Sequence, residues 1–481
     1  METAGAKESG SKVSELQKKW GHFEVVDIKF VDMVGKWQHF TIPKDELTDS
    51  VFTEGIGFDG SSIRGFQSID KSDMLLIPDT KSAFIDPFGS PRTLSLACNV
   101  IHPVTLAQYD RDPRGIAMRA EEYLKKSGIG THSYWGPEVE FFILDSARFD
   151  QNAQSGFYFL DSEAGIWNRG QENSEKPNRA YRPKNKEGYF PVPPIDHFQN
   201  LRNEMMQVLG AVGITVERQH HEVATAGQAE IDIRYDTLTQ QADNIMKFKY
   251  VLTNVAHSRG KVITFMPKPL FGDNGSGMHT HQSVWNGTKN LFYDEKDTYA
   301  QLSQFGRYYI GGLFKHAAAL MAICAPTTNS YKRLVPGYEA PVNLVYSKSN
   351  RSAAARIPMY SGAPVAKRVE FRSPDPMCNP YLAFAAMLMA GLDGVENKID
   401  PGSPLDEDTY HLSPEKAKNI KSVPRSFEDA LNALEADHAF MTKGGVFSED
   451  FIATWIAFKR QECDQVRLRP HPWEFALYFD N

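Results

Sequence analysis

The sequence predicts an α+β protein, with a small strand-rich N-terminal unit followed by a larger domain built on antiparallel strands. Three observations predict it. Strand-like alternation of polar and apolar residues recurs up to about Val100, broken by Pro78, Pro87 and Pro91. A charged, proline-marked break, Asp110-Arg111-Asp112-Pro113, follows. Beyond it, three separate strand-like segments carry ionisable side chains on one face and apolar ones on the other.

In chain order, the polar residues 1–12 have no signal-peptide core and read as disordered. Val13 to Trp20 suits a short helix. Phe23 to Phe30 alternates as a strand, Asp32-Met33-Val34-Gly35 turns, and Trp37 to Ile42 returns as a hairpin. Gly55-Ile56-Gly57-Phe58-Asp59-Gly60 matches G-x-G-x-x-G. No apolar strand precedes it and no helix follows, so it reads as a loop and not as a dinucleotide site. Residues 13–108 form the first domain and 113–481 the second. Gly115 to Lys126 reads as a helix with Ile116, Ala117, Ala120 and Tyr123 on one stripe. Residues 145–187 read as a long polar loop of the functional, assembly or mobile kind. Tyr189 to Pro194 is kept extended by its prolines, and His197 to Val212 reads as an amphipathic helix. The apolar run Leu382 to Leu392 is too short to span a bilayer and reads as a buried helix. Ser426-Phe427-Glu428-Asp429 opens a helix through Leu434, and Phe451 to Val466 forms another.

The chain has 481 residues, a net charge of −7 and four well-separated cysteines. The charge argues against nucleic acid as the main partner. The cysteine spacing leaves no zinc ribbon or redox CxxC, and fits a reducing cytoplasm.

The chemistry centres on Gln219 to Glu230. Glu222 and Glu230 flank a small, Gly-containing stretch, and Glu230 opens an alternating strand. Ala226-Gly227 lets the backbone turn back. Taken alone, a solvated acidic turn explains this stretch equally well. In Glu138-Val139-Glu140-Phe141-Phe142-Ile143, both acids share one face while Val139, Phe141 and Ile143 point into a core. His279, His281 and Ser283 repeat the pattern, as do Arg368, Glu370 and Arg372. Any one such strand is an ordinary amphipathic surface strand. Together, Glu, His and Arg with so few Lys describe a polar funnel lined by antiparallel strands. Its carboxylates suit Mg²⁺ or Mn²⁺ and its arginines suit anions, a combination that points to phosphoryl transfer. Lys268 to Gly277 is a Gly-rich loop entering the His279 strand, and no P-loop is present. Asn329 to Pro341 is a loop with two prolines that presents Arg333 and Glu339. Arg351 and Arg356 follow.

Six ordered stretches resemble type I glutamine synthetase, and the resemblance runs from about residue 13 to Asn481. They are Phe58-Asp59-Gly60-Ser61-Ser62, Gly136-Pro137-Glu138-Val139-Glu140, His220-His221-Glu222-Val223-Ala224, Phe265-Met266-Pro267-Lys268-Pro269, Asn274-Gly275-Ser276-Gly277-Met278-His279 and Asn329 to Pro341. Residues 145–187 look like the insertion of the bacterial long subtype. The resemblance implies a β-grasp-like N-terminal domain and a catalytic domain on a curved antiparallel sheet. It implies that Glu140, Glu222 and Glu230 hold one metal and that Glu138, His279 and Glu370 hold a second, with two or three Mg²⁺ or Mn²⁺ per subunit. Arg333, Arg372, Asn274 and Gly275 would bind L-glutamate. Arg351 would neutralise the transferring phosphoryl group, and Arg356 and Arg368 the ATP phosphates. Glu217, His281 and Ser283 would border the nucleotide. Asp59 would deprotonate ammonium in the neighbouring subunit's site, with Ser62, Tyr189 and Glu339 nearby and Glu339 closing it.

The implied assembly is a homo-dodecamer of two hexameric rings, locked by the apolar tail at 470–481, and regulatory proteins are implied partners. Tyr410 falls where some members are adenylylated. Its surroundings, Thr409-Tyr410-His411-Leu412-Ser413-Pro414, differ from the Asn-Leu-Tyr-Asp-Leu-Pro of that subgroup, so an unmodified tyrosine is the plainer reading. Val365 stands where the enterobacterial enzymes have a lysine near the nucleotide. The rival readings are a ligase joining glutamate to a larger amine, a non-catalytic relative, and a glutamate kinase that stops at phosphoryl transfer. The presence of all six metal ligands argues against the second. Asp59 and Glu339, which would have no task in a kinase, argue against the third.

Overall fold

The computed structural model describes residues 10–168, 180–336, 340–409, 418 and 420–480. The chain divides into two compact units, Met1–Gly115 with Ala211–Gly213, and Ile116–Gly210 with Ile214–Asn481.

The first unit opens with helix Lys12–Trp20, capped by the Ser11 side chain. Its strands are β1 (Val25–Val31), β2 (Trp37–Pro43), β3 (Ile56–Asp59), β4 (Asp73–Pro78), β5 (Phe84–Ile85) and β6 (Thr93–Ile101), in the order β2-β1-β6-β4-β3 with β5 on β6. β1 runs antiparallel to β2 and parallel to β6. Val26, Ile28, Phe30, Leu76, Leu94, Leu96 and Val100 form the core. The alternate face of β1 is buried too: Lys29 pairs there with Asp27 and donates to Ser95 Oγ at 2.8 Å. The segment Gly55–Gly60 is not a loop. Ile56 to Asp59 is an edge strand in register with β4, because Ile56 and Phe58 pack on the core while Gly57 and Asp59 face outward. A 3₁₀ turn follows it and no α-helix, as the rejection of a dinucleotide site requires.

The second unit is built on β7 (His132–Leu144), β10 (Val216–His221), β11 (Gln228–Ile233), β14 (Met278–Asn286), β16 (Tyr346–Lys348), β17 (Ala355–Ile357) and β18 (Val369–Phe371), with β8 (Ser146–Gln151) and β9 (Gly156–Asp161) as a separate hairpin. The order is β10-β11-β7-β14-β18-β17-β16. The short strands β12 (Asp236–Thr237) and β13 (Val262–Thr264) pair with β7, and β15 (Lys289–Asn290) pairs with β14. Every pairing along β7 is antiparallel. Its apolar side is covered by helices. Phe141 meets Phe248 of helix Leu238–Ser258, and Trp135 stacks at 5.1 Å on Phe384 of helix Pro380–Glu396. Residues Leu382 to Leu392 are all buried, so that run is a core helix. Helix cover on one face leaves the other for polar chemistry.

Several segments differ from the sequence reading. Residues 146–161 form the β8–β9 hairpin and not a loop. Phe149, Phe157, Tyr158 and Phe159 favour strand, and Asn152 closes the turn by accepting from the Gln154 and Ser155 amides. The stretch Tyr189 to Pro194 is not straight: Phe190 takes φ +58°, and Val192 O accepts from Ile195 N. Within 329–341, Ser330–Arg333 makes one helical turn. The other helices fall where expected, at Pro113–Lys126, Gln199–Ala211, Phe427–Ala436 and Glu449–Arg467, and the Ser426 side chain caps Phe427–Ala436 through Asp429 N. Helix Pro472–Tyr478 leaves Trp473, Phe475, Tyr478 and Phe479 exposed. None of the described helices is long and apolar enough to cross a membrane.

Candidate active site

The strand register assembles the site. Glu140 of β7 lies opposite Glu230 of β11, which lies opposite His220 of β10. Glu138 of β7 lies opposite His279 of β14. Two residues along β14, His281 lies opposite Glu370 of β18, which lies opposite Arg356 of β17. Directly opposed residues share a face, as do residues two apart on one strand. The face opposite the helices therefore collects carboxylates, imidazoles and guanidiniums from six strands. Glu222 follows β10, and the turn back into β11 is made by Ala226 at φ +63° and Gly227 at φ +81°. A Cβ at Gly227 would lie 2.6 Å from Ile143 O, so β7 passes too close for a side chain there.

Two groups of possible cation ligands result, each with its ligand atoms within 4.8 Å of one another: Glu138, His279 and Glu370, and His220, Glu222 and Glu230. In the first, His279 Nδ1 lies 3.4 Å from Glu138 Oε2, and His281 Nε2 lies 2.9 Å from Glu138 Oε1. Glu370 is fully buried between Arg356 and Arg372. In the second, His220 Nε2 lies 3.2 Å from Glu230 and Nδ1 3.5 Å from Glu222. Glu140 accepts from Gly277 N at 2.8 Å and from Gln228 Nε2 at 3.2 Å. The resemblance joins Glu140 to Glu222 and Glu230; the strand register places His220 beside them, opposite Glu230.

The electrostatics fit cations. Burial, then the facing carboxylates Glu138, Asp232, Glu222 and Glu140, push Glu230 well above the usual range. Burial raises Glu140 to about 7 against the pull of Gly277 N, Arg333 and Arg372. Burial also raises Glu138, but His281 and His279 outweigh it and hold the carboxyl well below its usual range. Burial, then Arg372, lowers His279 to about 4, leaving its imidazole neutral, the form that binds metal. Buried, like-charged oxygen donors with one imidazole per group match a hard divalent cation.

On one side of these groups, a cavity of about 40 Å³ is lined by residues that include Glu140, Asn274, Gly275, Gly277, Arg333 and Arg372. Arg333 donates to the carbonyls of Ser373, Pro374 and Arg372. Arg372 Nε is buried without an acceptor among the described residues, which suits an anionic substrate group. A Cβ at Gly277 would lie 2.5 Å from Arg333 Nη2 and 2.8 Å from His279 Nε2. The groups that must give way are the Arg333 guanidinium and the His279 imidazole. Gly277→Ala is expected to leave the fold intact and lower activity about 10-fold, checked by thermal unfolding and turnover.

On the other side, a cleft of about 320 Å³ is lined by residues that include Glu138, Glu217, His281, Ser283, Val365 and Arg368. Arg368 Nε donates to His281 Nδ1 at 3.1 Å, Ser283 Oγ accepts from Trp285 Nε1, and Glu217 pairs with Arg234 at 3.5 Å. Arg351 Nη2 donates to the Tyr360 hydroxyl at 3.3 Å. Asp59 and Ser62 belong to the first unit, where Asp59 accepts from Ser61 N, Ser61 Oγ and Ser62 Oγ. Glu339 and Tyr410 lie outside the described residues.

Comparison with known proteins gives the family. Residues 22–103 match the model of the glutamine synthetase β-grasp domain, and residues 110–478 match that of the glutamine synthetase catalytic domain. A glutamine synthetase of Frankia alni is 58% identical over 458 residues, covering 95% of this chain and 96% of that protein. One from a Nostoc species is 56% identical over 459 residues, with the same coverage. The cryo-EM structure of Plasmodium falciparum glutamine synthetase superposes with a TM-score of 0.89 at 29% identity, covering 99% of this chain and all of that one. With an N-terminal β-grasp domain, a large catalytic domain and relatives above half identity along nearly its whole length, the chain belongs to the glutamine synthetase family.

Proposed function

We propose that the polar face of the second unit's sheet is where this enzyme performs the ATP-dependent amidation of glutamate to glutamine, the activity of its family. Members of the family use ATP and divalent metals. The observation that carries the placement is the pair of buried acidic groups on one sheet face, flanked by arginines on both sides. Glu138, His279 and Glu370 would hold one cation, and Glu140, Glu222 and Glu230, bordered by His220, another. Two or three Mg²⁺ or Mn²⁺ per subunit would supply charge neutralisation of the phosphates.

In the first step the glutamate γ-carboxylate attacks the γ-phosphorus of ATP. An O–P bond forms, the bond to the β-phosphate oxygen breaks, and γ-glutamyl phosphate and ADP result. Arg333, Arg372, Asn274 and Gly275 orient glutamate. Arg356 and Arg368 hold the ATP phosphates, with Glu217, His281 and Ser283 at the nucleotide, and Arg351 neutralises the moving phosphoryl group. Positioning and charge neutralisation are most of the catalysis in such a step. In the second step ammonium gives a proton to Asp59, ammonia attacks the acyl carbon and phosphate leaves. Hydrogen bonds from Ser61 and then Ser62 hold the Asp59 carboxyl below its ordinary range, so it is charged at neutral pH and suits a small cation. Tyr189 and Ser62 border that cation, and Glu339 closes the site against water, which would hydrolyse the acyl phosphate.

Asp59 would come from a neighbouring copy in a dodecamer of two stacked hexamers, with helix Pro472–Tyr478 joining the rings. A cytoplasmic setting, regulatory protein partners and an unmodified Tyr410 complete the reading.

The test is phosphate release with ATP, Mg²⁺ and glutamate, with and without ammonium, and with methylamine or putrescine in its place. Release that requires ammonium and yields glutamine is expected. Release only with a larger amine would overturn the ammonium assignment. Asp59→Ala is expected to bind ATP normally and lose glutamine synthesis by about 100-fold or more, measured by calorimetry and turnover. Full turnover in that variant would remove Asp59 from the mechanism.

A further inference from the structure

Tyr360 is 70% exposed and lies in the segment joining β17 to β18, yet its hydroxyl is not left to solvent. Its Oη is 3.3 Å from Nη2 of Arg351 and 3.3 Å from Nη1 of Arg356. The Arg356 guanidinium also lies over the phenol ring, 5.4 Å from its centroid. Arg356 reaches Tyr360 with one end while its Nε binds the buried Glu370 carboxylate. Among the described residues Arg351 pairs with no carboxylate; its guanidinium is held by the Tyr360 phenol oxygen. One oxygen therefore sits where the donors of two guanidiniums converge. Two cations repel, and a shared acceptor is what lets them converge.

We infer that Tyr360 is a positioning residue of the phosphoryl-transfer step, its hydroxyl setting the orientation of Arg351 relative to Arg356. This rests on the reading above that these two arginines hold the transferring phosphoryl group and the ATP phosphates. Arg356 is already fixed by Glu370, so ground-state ATP binding needs little from Tyr360. Arg351 lies in an exposed loop and depends on its phenol partner Tyr360 for direction. Loss of the hydroxyl thus falls on the step in which charge moves onto the transferring group, and so on kcat.

The experiment compares Tyr360→Phe with Arg351→Lys in the full-length enzyme, by kcat and by KM for ATP and glutamate, with thermal unfolding as a control for the fold. Tyr360→Phe keeps the ring over Arg356 and removes only Oη. The expected result is a kcat about 10-fold lower with both KM values within about twofold, and a larger kcat loss in Arg351→Lys. If Arg351→Lys loses kcat while Tyr360→Phe does not, or if Tyr360→Phe raises the ATP KM at unchanged kcat, the positioning role is overturned and the phosphoryl site stands. Unchanged kcat in Arg351→Lys would overturn the site reading, and the role of Tyr360 with it.

Discussion

Glu370→Ala is expected to destabilise the protein by about 3–5 kcal/mol and to abolish glutamine formation. Glu370 is completely buried, and both of its oxygens are taken by guanidiniums, one by Arg356 and one by Arg372. Burial alone would raise its carboxyl, but Arg372 first, with His281 and Arg356, holds it below the ordinary range. Removing the carboxylate leaves two nearly buried arginines without it. That loss is far costlier than losing a surface ion pair, because water cannot reach the stranded charges. Urea unfolding measures the effect. A midpoint equal to that of the parent protein would show that the Arg–Glu–Arg bridge is not what holds β17 to β18. Glu370→Gln keeps the shape and part of the hydrogen bonding, so its stability loss should be smaller while its activity loss should match.

Glu230→Gln is expected to do the opposite to stability and the same to function. Glu230 directly faces Glu140 across two neighbouring strands and has Glu222 nearby, with His220 alone among the described residues in ion-pairing reach. Like charges opposed across strands cost up to about 1 kcal/mol, and more when buried. The metal-free variant should therefore unfold at a higher temperature than the parent protein. Its synthesis rate should fall by about 1000-fold, because one carboxylate of the cation site is gone. Thermal unfolding in chelator, paired with turnover in Mg²⁺, reads both. A variant less stable than the parent without metal would show that the facing carboxylates are not in conflict. Opposite signs in the two assays are what separate a group kept for chemistry from one kept for the fold.

Much of this site is legible in the sequence because a strand has a period of two. Glu138 with Glu140, and His279 with His281, announce a shared face without any knowledge of neighbours. The turn at Ala226-Gly227 is legible for the same kind of local reason. Register between strands is not local. Nothing in the residues around His220 says that it faces Glu230, and Glu140 joins Glu222 and Glu230 only through the family resemblance. The edge strand Ile56–Asp59 was hidden by its glycines, and only packing of Ile56 and Phe58 on a core drawn from distant strands makes it a strand. The β8–β9 hairpin was masked by the polar residues around it, its aromatic side chains being the one cue that local propensity offered.

β7 contributes to both carboxylate groups, Glu138 to one and Glu140 beside the other. The spacing between the two groups is therefore a strand repeat, roughly 7 Å along a single backbone. That backbone is hydrogen-bonded on both edges, so it acts as a ruler whose length does not depend on rotamers, loop closure or temperature. A deletion of one residue from β7 between Trp135 and Glu138 would turn both glutamates from the polar face to the helix-covered one in a single stroke. The catalytic geometry cannot drift by degrees along this strand; it is kept whole or lost whole.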